Sequence, residues 1–182
     1  LLAIHEEKKN RLTNNGFVAT VHSNSGLDAS LSEQGINLFR ADVGDRKVSQ
    51  MMREKKLVLG GESSGHVVAS KYLPTGDGLL TALLVIRACY ESNHNISSLS
   101  NKIVLWPSVE GSFKVKEKIP LENCKPLNSA LTKTRSSLEN QGRILLRYSG
   151  TEPKIRLLVE ARDSEKANVA YQTIAKLIEK TL

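Results

Sequence analysis

Along the first hundred residues, short β-type apolar runs alternate with longer segments of mixed character. FVATVHS (17–23) and INLFRADV (36–43) are β-branched and apolar and predict strands. Between and after them, SGLDASLSEQG (25–35) predicts a short helix ending at Gly35. GDRKVSQMMREKK (44–56) predicts a second helix, whose basic last turn suits its dipole. LVLGGESSGHVVASKYL (57–73) reads as two strands around a Gly/Ser-rich turn. TGDGLLTALLVIRACYESN (75–93) is apolar nearly all round, which predicts a buried helix. Strands separated by helices argue for an α/β layered domain with a mainly parallel sheet over residues 1–105.

From residue 106 the pattern changes, with Pro107 at the boundary. WPSVEGSFKVKEKI (106–119) alternates like an exposed strand. Leu127, Leu131 and Leu138 recur at helical spacing and predict an amphipathic helix running to Gly142. RILLRYS and KIRLLVEAR predict two more strands. A last helix starts at the N-cap Asp163, with Ala167, Ala170, Ile174, Leu177 and Ile178 as its apolar stripe. The order β-α-β-β-α makes residues 106–182 a small α+β domain, with no internal repeat anywhere in the chain.

Composition changes this picture in two ways. The chain has 182 residues, 40% hydrophobic and 25% charged, with no run long enough for a membrane span and no basic-then-apolar leader at LLAIHEEKKNR. Its charge of +7 is uneven: residues 1–106 hold 12 Lys/Arg against 10 Asp/Glu, whereas residues 107–182 hold 14 against 9. A cationic C-terminal part calls for an anionic partner, a phosphorylated small molecule or a nucleic acid. With 4% aromatics there is little for bases to stack on, which disfavours nucleic acid. Cys89 and Cys124 lie at no metal-binding spacing and read as reduced thiols, in keeping with a cytoplasmic location. His5 and His94 are expected at the surface, and Met51 and Met52 in the core.

Three polar groups interrupt the elements. In GGESSGH, Glu62, Ser64 and His66 alternate, so extended backbone puts them on one face, while Gly60, Gly61 and Gly65 let the chain turn and leave room for a ligand. A carboxylate, a hydroxyl and an imidazole suit the hydroxyls of a sugar; the same residues also fit a solvated turn. In RYSGTEPKIR, Arg147 and Arg156 offer guanidinium forks, Ser149 and Thr151 hydroxyls, and the backbone around Gly150 free N–H groups. That set reads as a phosphate grip or as a solvated hairpin, and it holds no nucleophile–base pair. In VGDR (43–46), Arg46 stands unfavourably near a helix N-terminus, which marks either a functional cation or an ion pair with Asp42 or Asp45. The aspartates of DVGDR and TGDG are not arranged as a metal cage, and no metal ligand set is expected in this chain.

GGESSGH followed by RYSGTEPKIR, together with the VGDR turn and the TGDG helix start, resembles the α-D-phosphohexomutase family over the whole chain. The SGTEP form and the VE after it are most similar to the branch acting on glucosamine phosphates. The resemblance implies an isomerase of four domains, of which residues 1–105 would be the third, reading sugar hydroxyls through Glu62, Ser64 and His66. Residues 106–182 would be the fourth, binding phosphate through Arg147, Ser149, Gly150, Thr151 and Arg156, with Arg46 as a cleft residue. It also implies a phosphoserine and Mg2+ held by other domains, a hexosamine phosphate substrate, and a place in amino-sugar and cell-wall precursor synthesis. No segment here matches a serine loop or a DGDxDR metal loop. The expected partners are therefore the substrate and the missing N-terminal domains, not nucleic acid or membrane, and the chain by itself is expected to be inactive. A relative acting on glucose or mannose phosphates, a nucleic-acid-binding module and a stand-alone sugar-phosphate sensor remain the alternatives.

Overall fold

A computed structural model describes residues 1–182, which divide into two compact units, Leu1–Leu105 and Trp106–Leu182. In the first, helix α1 (Leu2–Lys8) leads into strand β1 (Gly16–Thr20), helix α2 (Gly26–Ser32), strand β2 (Asn37–Ala41) and helix α3 (Asp45–Lys55). Strands β3 (Leu59–Gly61) and β4 (Val67–Ala69) follow, then helices α4 (Gly78–Ser92) and α5 (Ile96–Ser100). The strand order is β2-β1-β3-β4; β1 pairs in parallel with both β2 and β3, and β4 closes the sheet antiparallel. One face packs Val18, Ala41, Leu57 and Val68 against Val48 and Met52 of α3. The other packs Leu59, Ala69 and Ile36 against Ile4, Leu31 and Leu84 of α1, α2 and α4. Burial on both faces is why the strands read as continuous apolar runs and not as clean alternations.

Close packing settles two of the loop glycines. A Cβ on Gly60 would lie 2.8 Å from both Met52 Sδ and Val48 Cγ1, so this glycine makes room for α3. Gly61 is equally committed, since its Cβ would meet the His66 carbonyl at 2.9 Å. Space for a ligand, expected of all the loop glycines, is left only at Gly65, where nothing lies within 4 Å.

Helix α4 is not buried all round, contrary to the sequence expectation. Leu84 and Ala88 enter the core, whereas Leu79, Leu83, Ile86 and Tyr90 form an exposed apolar stripe, Leu83 being 56% accessible. Asp77 caps this helix by accepting the Leu80 N–H at 2.6 Å. His5 also departs from expectation: it is buried, 2.9 Å from Glu91 and 3.1 Å from Arg11, while His94 is exposed as anticipated.

In the second unit, strand β5 (Ser108–Lys114), helix α6 (Lys125–Ser137), strands β6 (Gly142–Tyr148) and β7 (Lys154–Ala161) and helix α7 (Ser164–Thr181) form the α+β arrangement. The antiparallel sheet runs β5-β7-β6. Its inner face, with Ile144, Ile155, Leu157 and Val159, packs on Leu127 and Leu131 of α6 and on Ala167, Ala170, Ile174 and Ile178 of α7. Each fully buried aliphatic side chain there contributes about 1.5–3 kcal/mol of transfer free energy. Asp163 caps α7 by accepting the Lys166 N–H at 2.8 Å. Helix α6 stops at Ser137, short of Gly142: Glu139 and Asn140 take up left-handed backbone, and Gly142 already belongs to β6, where a Cβ would meet Glu160 O at 2.6 Å. No helix is long and apolar enough to cross a membrane, and both cysteines are free thiols.

Candidate functional site

The GGESSGH segment is a tight hairpin loop between β3 and β4. The Glu62 N–H donates to His66 O at 2.9 Å and the Gly65 N–H to Glu62 O at 3.1 Å, with Gly65 at φ +94. The backbone therefore turns where alternation on one extended face was expected. The loop nonetheless gathers the same three side chains, because its two ends lie across from each other. His66 Nδ1 is 3.0 Å from Ser64 Oγ and 3.7 Å from Glu62 Oε2. The imidazole is 63% exposed, whereas the Glu62 side chain is only 11% exposed.

Glu62 has a partner that the sequence did not disclose. Its Oε1 accepts the Gly44 N–H at 2.9 Å, joining this loop to the VGDR turn. Gly44 sits at φ +122, where a side chain is strained, so the turn depends on this glycine. Next to it, Asp45 Oδ1 accepts the Arg46 N–H at 2.7 Å at the start of α3. The Arg46 side chain is exposed and makes no ion pair with Asp42 or Asp45, so the structural explanation for this cation is not realised.

The second motif is the turn between β6 and β7. Antiparallel register sets Arg147 directly opposite Arg156. Like charges so placed repel, at a cost of roughly 0.2–1 kcal/mol. Arg156 is partly compensated by Glu152 at 3.4 Å, which also receives Lys154 Nζ at 2.5 Å. Lys154 first, and Arg156 after it, hold the Glu152 carboxyl below its ordinary range. Arg147 has no carboxylate partner, and its Nε is buried without an acceptor.

Within the loop, Ser149 is 3% exposed, and its hydroxyl accepts the Glu152 N–H at 3.3 Å. Its own N–H donates to Lys154 O at 2.8 Å, so Ser149 shapes the turn from inside. The N–H groups of Gly150 and Thr151 have no acceptor in the chain, and both residues are exposed. Two free amides thus stand beside a guanidinium pair of which only Arg156 has a carboxylate partner, a donor set whose chemistry suits an anion. Lys118, absent from the motif reading, adds a fourth cation: its Nζ donates to Ser149 O at 2.6 Å. No local pattern could have signalled it, because it lies 31 residues from its partner in sequence.

Nowhere do three or more His, Cys, Asp or Glu side chains gather as they would to hold a metal ion. The resemblance assigns its magnesium to other domains and names no residue of this chain as a ligand.

Residues 1–105 match the family described as phosphoglucomutase/phosphomannomutase, alpha/beta/alpha domain III, and residues 112–176 match that family's C-terminal domain. A phosphoglucosamine mutase of Bartonella bacilliformis is 42% identical over 178 residues, 98% of this chain and 39% of that protein. One of Aliarcobacter butzleri is 40% identical over 181 residues, 100% of this chain and 40% of that protein. The chain thus spans about two fifths of the length of these relatives. Among solved structures, Aspergillus fumigatus N-acetylphosphoglucosamine mutase in complex with GlcNAc-6P and magnesium superposes with TM-score 0.71 at 16% identity. That match covers 99% of this chain and 41% of the other. An N-acetylglucosamine-phosphate mutase in its substrate complex gives TM-score 0.72 at 17% identity, covering 97% and 42%. Both share the fold.

Proposed function

The chain belongs to the phosphoglucomutase/phosphomannomutase family, and from that premise we propose that it is the sugar- and phosphate-binding part of a phosphoglucosamine mutase. The intact enzyme interconverts glucosamine 6-phosphate and glucosamine 1-phosphate. The observation that carries the reading is the loop between β6 and β7: Arg147 and Arg156 oppose each other in register beside the free amides of Gly150 and Thr151. A phosphate dianion relieves that repulsion and satisfies those donors at once. Relatives near 40% identity named phosphoglucosamine mutase favour the amino-sugar substrate over glucose or mannose phosphates.

The division of labour follows from the two loops. Unit 1 presents Ser64, His66 and the remaining Glu62 oxygen to sugar hydroxyls, with Arg46 as a free cation beside them. Unit 2 binds the phosphate that is not reacting, through Arg147, Arg156 and the amides of Gly150 and Thr151, with Ser149 bracing the turn. Guanidinium groups and amides recognise a phosphate whichever carbon carries it, so the same loop serves the 6-phosphate and the 1-phosphate. Phosphoryl transfer itself belongs to a phosphoserine outside these 182 residues. It donates its phosphoryl group to the sugar to give the 1,6-bisphosphate, and it recovers one from the other position after the intermediate turns.

The test combines binding and turnover. Calorimetry with the purified chain should detect glucosamine 6-phosphate, while phosphorus NMR of the same mixture shows no glucosamine 1-phosphate. Binding of oligonucleotides in place of sugar phosphates, or isomerisation by the chain alone, would refute the proposal.

A further inference from the structure

The free Gly150 N–H belongs to a peptide unit whose other end is held. Lys118 Nζ donates to Ser149 O at 2.6 Å, and Ser149 C=O and Gly150 N–H are the two poles of one planar amide. The chain contains no cis peptide, so this oxygen and this hydrogen point in opposite directions. An ammonium fixing the oxygen therefore fixes the line along which the N–H projects. It also draws electron density from the amide, which strengthens the hydrogen at the far end as a donor.

The lysine is delivered to this position by a strap. The Tyr148 hydroxyl donates to Ile119 O at 2.8 Å, one residue from Lys118, and the Val115 N–H donates to Pro153 O at 3.0 Å. The segment after β5 thereby grips both sides of the loop between β6 and β7. Lys118 forms no ion pair with any carboxylate. Its charge is thus added to those of Arg147, Lys154 and Arg156.

We propose that Lys118 is a positioning residue for anion binding, orienting and polarising the Ser149–Gly150 peptide so that the Gly150 N–H is aimed at the bound phosphate. The inference rests on reading this loop as the phosphate grip. It assigns Lys118 to the peptide and not to the ligand.

The experiment is a titration of the 15N-labelled chain with inorganic phosphate, following the Gly150 and Thr151 amides. Lys118→Ala should weaken phosphate about three- to tenfold, the range for one lost hydrogen-bonded arrangement. It should also shrink the phosphate-induced shift of Gly150 while leaving that of Thr151. Lys118→Arg, which keeps a charged donor, should restore both. Lys118→Met keeps the aliphatic stem and should behave as Lys118→Ala, so a loss of packing is told apart from a loss of the donor. Lys133→Ala, on exposed surface of α6, controls for net charge and should change neither readout.

Equal affinities for Lys118→Ala and Lys133→Ala would overturn the inference and leave the grip intact. Weaker binding with the Gly150 shift unchanged would also overturn it, since Lys118 would then act on the phosphate directly. If phosphate moves neither amide in the unsubstituted chain, the grip reading itself falls and the inference with it.

Discussion

Arg147 is the residue on which binding and stability pull in opposite directions. Its guanidinium faces Arg156 across the ladder and has no carboxylate to offset it. Arg147→Ala should weaken inorganic phosphate by about 1.5–3 kcal/mol, the range for a hydrogen bond to a charged group. Without phosphate, the same variant should melt no lower than the parent chain, because a like-charge pair has been removed. Calorimetric titration and a thermal melt read the two effects separately, and a large fall in melting temperature would make Arg147 a structural residue. Glu62 is the converse case, since one carboxylate oxygen is committed to Gly44. Glu62→Gln keeps an acceptor for that amide, whereas Glu62→Ala does not. Hydrogen exchange at Gly44 should therefore accelerate in Glu62→Ala and stay slow in Glu62→Gln; equal rates would deny Glu62 this bracing role. The motif residues were legible in the sequence because Gly, Ser, Arg and His stand out against apolar strands. The bonds from Gly44 to Glu62 and from Lys118 to Ser149 join residues 18 and 31 apart, a separation at which no local pattern carries information.

At the scale of elements, α4 separates hydrophobicity from burial. Leu83 and Leu84 are adjacent, yet one is exposed and the other 7% accessible within the core. Leu84→Ala should cost about 2–5 kcal/mol in urea unfolding. Leu83→Ala, on a surface with no partner in this chain, should stay within roughly 0.5 kcal/mol. Comparable costs would show the stripe to be covered. The apolar pattern of this helix told of its chemistry but could not tell which face the unit would bury. Helix α1 escaped the periodicity reading for a related reason: seven residues are too few to show a stripe, and its place is set by contacts with α4. Glu6 meets Arg87 at 2.6 Å, and Glu91 meets both Arg11 at 2.6 Å and His5 at 2.9 Å. Arg11 foremost, helped by His5 and Arg87 and opposed by desolvation, lowers Glu91 to about 2 from its ordinary 4.5. A depressed carboxyl stabilises the fold fully above its unfolded value and loses that contribution as pH falls towards its folded value. The melting-temperature gap between the parent chain and Glu91→Gln should thus be full above pH 4.5 and close by about pH 2. A gap independent of pH would remove the charge from this account.

At the scale of the whole molecule, the proposed function divides recognition between the two units. The excess of cations over residues 107–182 converges on one loop, where Lys118, Arg147, Lys154 and Arg156 stand with Glu152. The layered unit carries the hairpin of Glu62, Ser64 and His66, supported from the VGDR turn. Change of grammar near Pro107 made the two-part organisation legible, since strand–helix alternation gave way to a three-stranded antiparallel sheet packed on two helices. The central claim is that one loop binds phosphate and the other binds sugar. A heteronuclear NMR titration of the chain with glucosamine 6-phosphate, set beside one with inorganic phosphate, tests it most directly. Both ligands should shift Gly150 and Thr151, and only the sugar phosphate should also shift residues 62–66. Shifts confined to residues elsewhere, or none at Gly150 and Thr151 with either ligand, would contradict the account.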